Sequence, residues 1–311
     1  MSQIYIILST YNGEKFLEEQ LISLKNQTSS FELLVRDDGS SDRTLEILND
    51  WKDKLSARIL SGPNIGPVNS FNVLLQMIPE EAEYIFFCDQ DDIWEYDKIE
   101  ISVKMLKEQE VLLGKQTPML FHSDLSVIDE HGNFISKSFW KFQNINFRFG
   151  IYLNRLVMQN TVTGCSACMN ISLLRLVKEI PQEAKMHDWW VTLVACCYGR
   201  IISTEIPLIR YRIHRNNVVG GREISFFRVI KTLALFISYI KKWKAENYSR
   251  VVQAQRFYEI YEATLPAPQK ILLEKFMISA NSNFLFRKIL QYRFWFYQHG
   301  WYRILISFFL F

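Results

Sequence analysis

Asp89 and Asp91 stand one residue apart, with Asp92 beside them, directly behind the apolar run Tyr84-Ile85-Phe86-Phe87-Cys88. Carboxylates at this spacing can converge on one hard cation where the chain turns beyond a strand. Magnesium or manganese prefers such oxygen ligands and keeps positions open for substrate phosphates. The plain alternative is a solvated acidic loop, since an isolated Asp-x-Asp is common. Asp37 and Asp38 open a second cluster, Asp37-Asp38-Gly39-Ser40-Ser41-Asp42, behind another apolar run at residues 31–35. Ser41 or Asp42 suits a helix cap and Gly39 a turn, which leaves two carboxylates beyond what capping needs. They could accept hydrogen bonds from a nucleobase N–H or a ribose hydroxyl. A third polar cluster, Ser9-Thr10-Tyr11-Asn12-Gly13, follows the apolar run at residues 4–8.

The elements that must hold these groups are legible from apolar spacing. Runs at 4–8, 31–35, 57–60 and 84–88 read as buried strands. Between them Leu17, Leu21 and Leu24, then Leu45, Leu48 and Trp51, recur at helical spacing, and a further helix is expected over 68–77. Continuous apolar strands alternating with amphipathic helices predict a parallel sheet covered on both faces. Ligands of such sheets sit beyond the carboxyl ends of the strands, where all three polar clusters fall. After residue 115 the alternation ends. A strand is expected over 118–128, a turn at Asp129-Glu130-His131-Gly132-Asn133, short strands near 161–170 and 200–212, and a helix over 189–197, just after His187-Asp188.

Composition narrows the classes. The 311 residues are 49% hydrophobic and 22% charged, which predicts a folded chain. A formal net charge of +3 is too small to point to nucleic acid as a partner. There are five cysteines, with one Cys-x-x-Cys at Cys165 and Cys168 and no second pair at zinc spacing; they read as structural thiols of a reducing cytoplasm. The first apolar run is too short for a signal peptide, and no stretch is long and uncharged enough to predict a spanning helix.

Residues 9–13, residues 37–42 and Asp89-Gln90-Asp91-Asp92-Ile93-Trp94, in this order and each at a strand end, resemble the motifs of glycosyltransferase family 2, particularly its rhamnosyltransferase-like members. His187-Asp188-Trp189-Trp190 and Tyr211-Arg212-Ile213-His214-Arg215-Asn216-Asn217 fit the same pattern, so the resemblance covers about residues 3–220. It implies a GT-A fold, an α/β (Rossmann-like) mixed sheet flanked by helices, over residues 1–222. It also implies inverting transfer of a sugar from a nucleoside-diphosphate donor to a glycan or lipid-linked saccharide acceptor. On this resemblance Thr10, Tyr11 and Asn12 lie at the nucleotide, Asp37 or Asp38 contacts the base or ribose, and Gln90 and Asp92 reach the nucleotide sugar. Asp89 and Asp91 hold Mn2+ or Mg2+, joined by His214, for which a satisfied loop histidine is the alternative. Arg212 and Arg215 clamp the diphosphate, whose oxygens a guanidinium matches. Asp188 matches the general base, its alternative being a helix N-cap. His187 replaces the glutamate common in the family there, and its role stays open. With Trp189, His122, Asp124 and Gly164 it is placed on the acceptor side, although packing explains His122, Asp124 and Gly164 nearly as well. The Asp-Gln-Asp-Asp-Ile-Trp sequence points to dTDP-L-rhamnose as donor, with UDP-sugars left open.

Residues 223–311 read as a helical, aromatic and basic extension. Phe226, Val229, Ile230, Leu233, Phe236, Ile237 and Ile240 form one apolar face beside several lysines and Arg228, and residues 284–311 mix aromatics with Arg287, Lys288, Arg293 and Arg303. Such a pattern is that of an interfacial helix, with a packing helix or a dimer contact as the alternative. It predicts peripheral attachment to the inner face of the membrane, in keeping with cell-surface polysaccharide synthesis. Two other functions compete with the transferase. A metal-dependent phosphatase of haloacid-dehalogenase type also has Asp-x-Asp after a strand, but near the chain start with Thr behind it. A non-catalytic carbohydrate-binding relative would not need the Asp pair.

Overall fold

The computed structural model describes residues 3–177, 179–214 and 233–299. In chain order the elements are β1 (Ile4–Thr10), α1 (Leu17–Lys25), β2 (Glu32–Asp37), α2 (Thr44–Trp51), β3 (Arg58–Ser61), α3 (Gly66–Gln76), β4 (Tyr84–Cys88), β5 (Ile93–Trp94), α4 (Lys98–Leu113), β6 (Met119–Ile128), β7 (Phe134–Ser136), α5 (Phe139–Phe142), α6 (Leu153–Leu156), β8 (Ala167–Asn170), α7 (Ile171–Val177), α8 (His187–Tyr198), β9 (Arg200–Arg212), α9 (Leu233–Tyr261), α10 (Ala267–Asn281) and α11 (Phe284–Phe294). The chain clusters into two compact units, one of residues 1–139, 162–195 and 199–217, the other of 140–161, 196–198 and 218–311. Residues 140–161 and 196–198, which the sequence assigned to the first domain, thus group with the C-terminal helices.

The first unit is built on a mixed sheet of order β3-β2-β1-β4-β8-β6-β9-β5, with β7 paired to β6. Its β3-β2-β1-β4 half is parallel. Ile6, Ile7, Leu34, Val35, Ile85, Phe86 and Phe87 are wholly buried there, as continuous apolar strands covered on both faces require. β8 then runs antiparallel to both β4 and β6, and β9 runs parallel to β6. The register of β6 against β9 shifts on both sides of Asp124, an irregularity of the kind that re-aims a side chain.

Three local expectations shift. Only Ala167–Asn170 of the 161–170 stretch is a strand; Gly164–Ser166 is a turn of 3-10 helix. The first helix, expected over residues 14–26, begins only at Leu17; ahead of it Asn12 takes a left-handed φ of 48° and the Gly13 carbonyl accepts from the Phe16 and Leu17 amides. α8 begins at His187 with Met186 as its N-cap. Asp188 therefore lies inside the first turn, and the N-cap alternative for it falls.

The second unit is helical. Phe257, Leu273, Phe276 and Phe296 are wholly buried in it, with Phe276 and Phe296 edge to face at 5.3 Å. Its C-terminal segment is tied back by Asn154 Nδ2 to the Phe294 carbonyl (3.0 Å) and the His299 amide to Gln159 Oε1 (2.8 Å). Among the described residues no helix is long and apolar enough to cross a membrane. Arg215 and residues 223–232 and 300–311, including Phe226, Arg228 and Arg303, lie outside the described residues.

Candidate active site

The loop 89–92 leaves β4 where its pairing with β1 ends at Leu8 and Cys88. Asp92 turns inward and is wholly buried, its Oδ1 accepting from the Arg212 amide at 3.1 Å. Asp91 points the other way, and its Oδ2 stands 2.7 Å from His214 Nε2. That imidazole lies against Phe16, ring centroids 4.9 Å apart. The end of β9 thus closes over the acidic loop from a distance of more than a hundred residues.

Charge in this corner is crowded. Burial, then the charges of Asp92, Asp91 and Asp188, push the Asp89 carboxyl well above its ordinary range. Burial, then the Asp91 charge, lifts Asp92 to about 7, against the pull of Cys165 and Arg212. Repulsion of this kind is what a divalent cation relieves. Ligand atoms of Asp89, Asp92 and Cys165 lie within 4.8 Å of one another. Sequence reasoning had passed over Cys165 as one half of an isolated Cys-x-x-Cys. Burial and the neighbouring carboxylates push its thiol well up. Lys98 was also missed, because it reads as an ordinary residue of α4. It is wholly buried, with Nζ 3.5 Å from the Trp94 ring centroid and 4.6 Å from that of Phe86; burial lowers it to about 8.

The expected diphosphate clamp at Arg212 is corrected by the structure. Arg212 is wholly buried. Its Nε donates to the Asp91 carbonyl (3.0 Å), and its guanidinium pairs with Glu19 and lies 4.8 Å from the Phe16 ring centroid. The guanidinium is committed to the acidic loop and to Glu19, where the sequence had expected a diphosphate.

On the other side, two loops are laced together. The Asn12 amide donates to Ser40 Oγ (2.9 Å), Asn12 Oδ1 accepts from the Ser41 amide (2.9 Å), the Gly13 amide donates to Thr44 Oγ1 (2.7 Å) and the Glu14 amide to Asp42 Oδ2 (3.1 Å). Asp42 Oδ1 also accepts from the amide of Thr44, the first residue of α2 (3.0 Å), although the N-cap position is Arg43 and not the expected Ser41 or Asp42. Asp37 accepts from Thr10 Oγ1 (3.1 Å) and the Ser40 amide (3.0 Å), across the turn that Gly39 makes at φ 81°. Asp38 pairs with buried Arg36 and accepts from the Ile65 and Gly66 amides at 2.8 Å each, which fixes the start of α3. Tyr11 is left exposed at 48%, and the Gln90 amide, expected at the nucleotide sugar, bonds to the Tyr11 backbone.

The residues expected on the acceptor side are buried. His187 lies on Phe71 and Phe87, centroids 4.0 and 4.9 Å away, and burial takes it down to about 3, so the ring is neutral. A Cβ on Gly164 would fall 2.8 Å from its Nε2, which is why glycine stands there. His122, lowered to about 4 by burial, and Asp124, which accepts from the Leu125 amide (2.8 Å) and from Ser138, lie inside β6. Trp189 is buried. His122 and Asp124 are thus enclosed in the way the packing alternative expects, and His187, whose role the sequence left open, is enclosed as well. Asp188 alone of this group is half-buried. It lies beside Gly164, and its charge is felt at Asp89.

A parallel half-sheet with acidic loops at its carboxyl ends, continued by a mixed half, defines a GT-A-type α/β protein. The family description "Glycosyl transferase family 2" matches residues 5–175, more than half of the chain, and the chain belongs to that family of enzymes. It is similar to the dTDP-rhamnosyl transferase RfbG of Shigella flexneri, 25% identical over 260 residues that cover 79% of this chain and 84% of the relative. It is also similar to the poly(ribitol-phosphate) beta-N-acetylglucosaminyltransferase TarS of Staphylococcus aureus, 34% identical over 137 residues, where the match spans 42% of this chain and only 22% of that protein. Among solved structures, S. aureus TarS 1–349 in complex with UDP-GlcNAc superposes with a TM-score of 0.56 at 19% identity, covering 94% of this chain and 87% of that one. The mannosyltransferase PcManGT of Pyrobaculum calidifontis, in complex with GDP-Man and Mn2+, does so with 0.52 at 16%, covering 94% and 83%. These likenesses show the GT-A fold and remove the haloacid-dehalogenase-type alternative.

Proposed function

We propose that the protein is an inverting, metal-dependent glycosyltransferase that moves L-rhamnose from dTDP-rhamnose to a glycan or lipid-linked saccharide in cell-surface polysaccharide synthesis. The observation that carries the chemistry is the convergence of Asp89, Asp91, His214 and Asp188 on one edge of the sheet. A dTDP-rhamnosyl transferase that matches most of this chain supports the donor.

Asp89, Asp91 and His214 would hold Mn2+ or Mg2+. The tighter trio of Asp89, Asp92 and Cys165 is the rival set, and accessibility favours the first. Asp92 and Cys165 are wholly buried, whereas the side chains of Asp91 and His214 keep 16% and 12% of their surface open. A cation that shares its ligands with a diphosphate needs open positions, and a thiol is a poor ligand for a hard cation. When bound, the metal offsets charge that develops on the leaving diphosphate. Thr10, Tyr11, Asn12 and Asp37 form the nucleotide side. Asp188 stands in the first turn of α8, where the helix N-terminus favours an anion, and takes the proton of the acceptor hydroxyl as the new bond forms. The experiment is nucleotide binding with and without manganese: binding of dTDP strengthened by manganese supports the reading, and no binding of any nucleotide by folded protein removes it.

Peripheral attachment to the inner face of a membrane completes the proposal. It is supported by α11, which exposes Phe284, Leu285, Ile289 and Tyr292 and carries Arg287, Lys288 and Arg293. An apolar outward face beside basic residues suits an anionic lipid surface. Truncation would cut into a core, since Phe296 is wholly buried, so surface changes are the cleaner test. Leu285→Glu with Ile289→Glu should move the protein from the membrane to the soluble fraction on cell fractionation; unchanged partitioning would remove the attachment.

A further inference from the structure

Parallel pairing of β1 with β4 stops at Leu8 and Cys88, yet β1 runs on to Thr10. Beyond that point β4 has turned away into the acidic loop. The backbone groups of Tyr11, the residue just past the strand, are met by one side chain. Gln90 Oε1 accepts from the Tyr11 amide at 2.8 Å, and Gln90 Nε2 donates to the Tyr11 carbonyl at 3.0 Å. The side-chain amide imitates a strand neighbour, using one acceptor and one donor on the same residue. It also seats against Gly13, where a Cβ would fall 2.6 Å from Gln90 Cδ. Loop 11–14 is laced to loop 40–44 by its other bonds, so Gln90 fixes the third side of this frame. Its neighbour Asp91 meets His214 and Asp89 lies within reach of the Asp91, Asp92 and Asp188 charges, while the Gln90 amide is engaged with Tyr11.

We propose that Gln90 is a positioning residue for the nucleotide: its amide holds the Tyr11–Gly13 loop in the shape that receives the base and ribose. The assignment rests on the nucleotide-sugar reading of the site. It sets Gln90 apart from the flanking carboxylates, because its effect falls on the nucleotide and not on the metal. Without these two bonds the loop spends most of its time in other shapes, and an affinity scaled by the competent fraction falls by about tenfold when that fraction drops to about a tenth.

The test is Gln90→Met, which keeps the chain length and removes both bonds. dTDP and UDP are titrated calorimetrically in EDTA and in manganese, and manganese alone is titrated by the paramagnetic resonance of the free ion. The expected result is a loss of about tenfold in nucleotide affinity in both buffers, with manganese affinity unchanged and the melting midpoint lowered by no more than a few degrees. Nucleotide affinity within twofold of the parent in both buffers would overturn the assignment. So would a loss seen only in manganese with a parallel loss of manganese affinity, which would make Gln90 a prop of the metal loop. A parent protein that binds neither nucleotide in either buffer would take down the nucleotide-sugar reading, and this one with it.

Discussion

Replacing Asp188 with Asn is expected to cut sugar transfer by about a hundredfold or more, the scale of a lost general base, while leaving nucleotide binding within about twofold. The substitution keeps the shape of the side chain. It removes a charge that sits half-buried beside Gly164 and adds to the repulsion on Asp89, so donor affinity has no reason to fall. An amide cannot take the acceptor proton, so the loss appears in the rate and not in the binding. Transfer of labelled sugar to a cell-envelope fraction, measured beside calorimetric binding of dTDP, checks both halves. Full transfer by the Asn variant would remove the base assignment.

Replacing Asp91 with Ala should abolish most of the gain in nucleotide affinity that manganese gives, by at least about tenfold, since changes even one shell further out cost that much at metal sites. Asp91 carries a contact to His214, so its loss removes that contact and takes one carboxylate from the cation. Binding in EDTA should hardly change. Cys165→Ser supplies the contrast, because it removes the soft ligand of the buried trio and should leave manganese-dependent binding intact. The reverse pattern, loss with Ser and retention with Ala, would move the metal to Asp89, Asp92 and Cys165.

The parallel half of the sheet was legible because its strands are continuous apolar runs that end in polar clusters, as Tyr84–Cys88 does before Asp89. Local pattern is enough there. Burial was harder to read. Arg212 looks like a phosphate ligand by type, but its surroundings are Glu19, Phe16 and the Asp91 carbonyl, which come from three distant parts of the chain. His122 and His187 look chemically able, yet strand pairing and two phenylalanine rings enclose them. Gln90 sits between two aspartates and reads as part of their motif, and only the ending of the β1–β4 ladder shows what its amide does. The grouping of 140–161 with the C-terminal helices was hidden for a similar reason: short helices such as Leu153–Leu156 carry too little periodicity to show which core they join.

The measurement closest to the central claim is thermal melting of the purified protein with dTDP, UDP, GDP and ADP, each with and without manganese. A manganese-dependent rise in the melting midpoint with dTDP, larger than with the other three, is the expected result. A rise with UDP instead would keep the glycosyltransferase and replace the donor. A folded protein whose melting point moves with none of the four would contradict the nucleotide-sugar site itself.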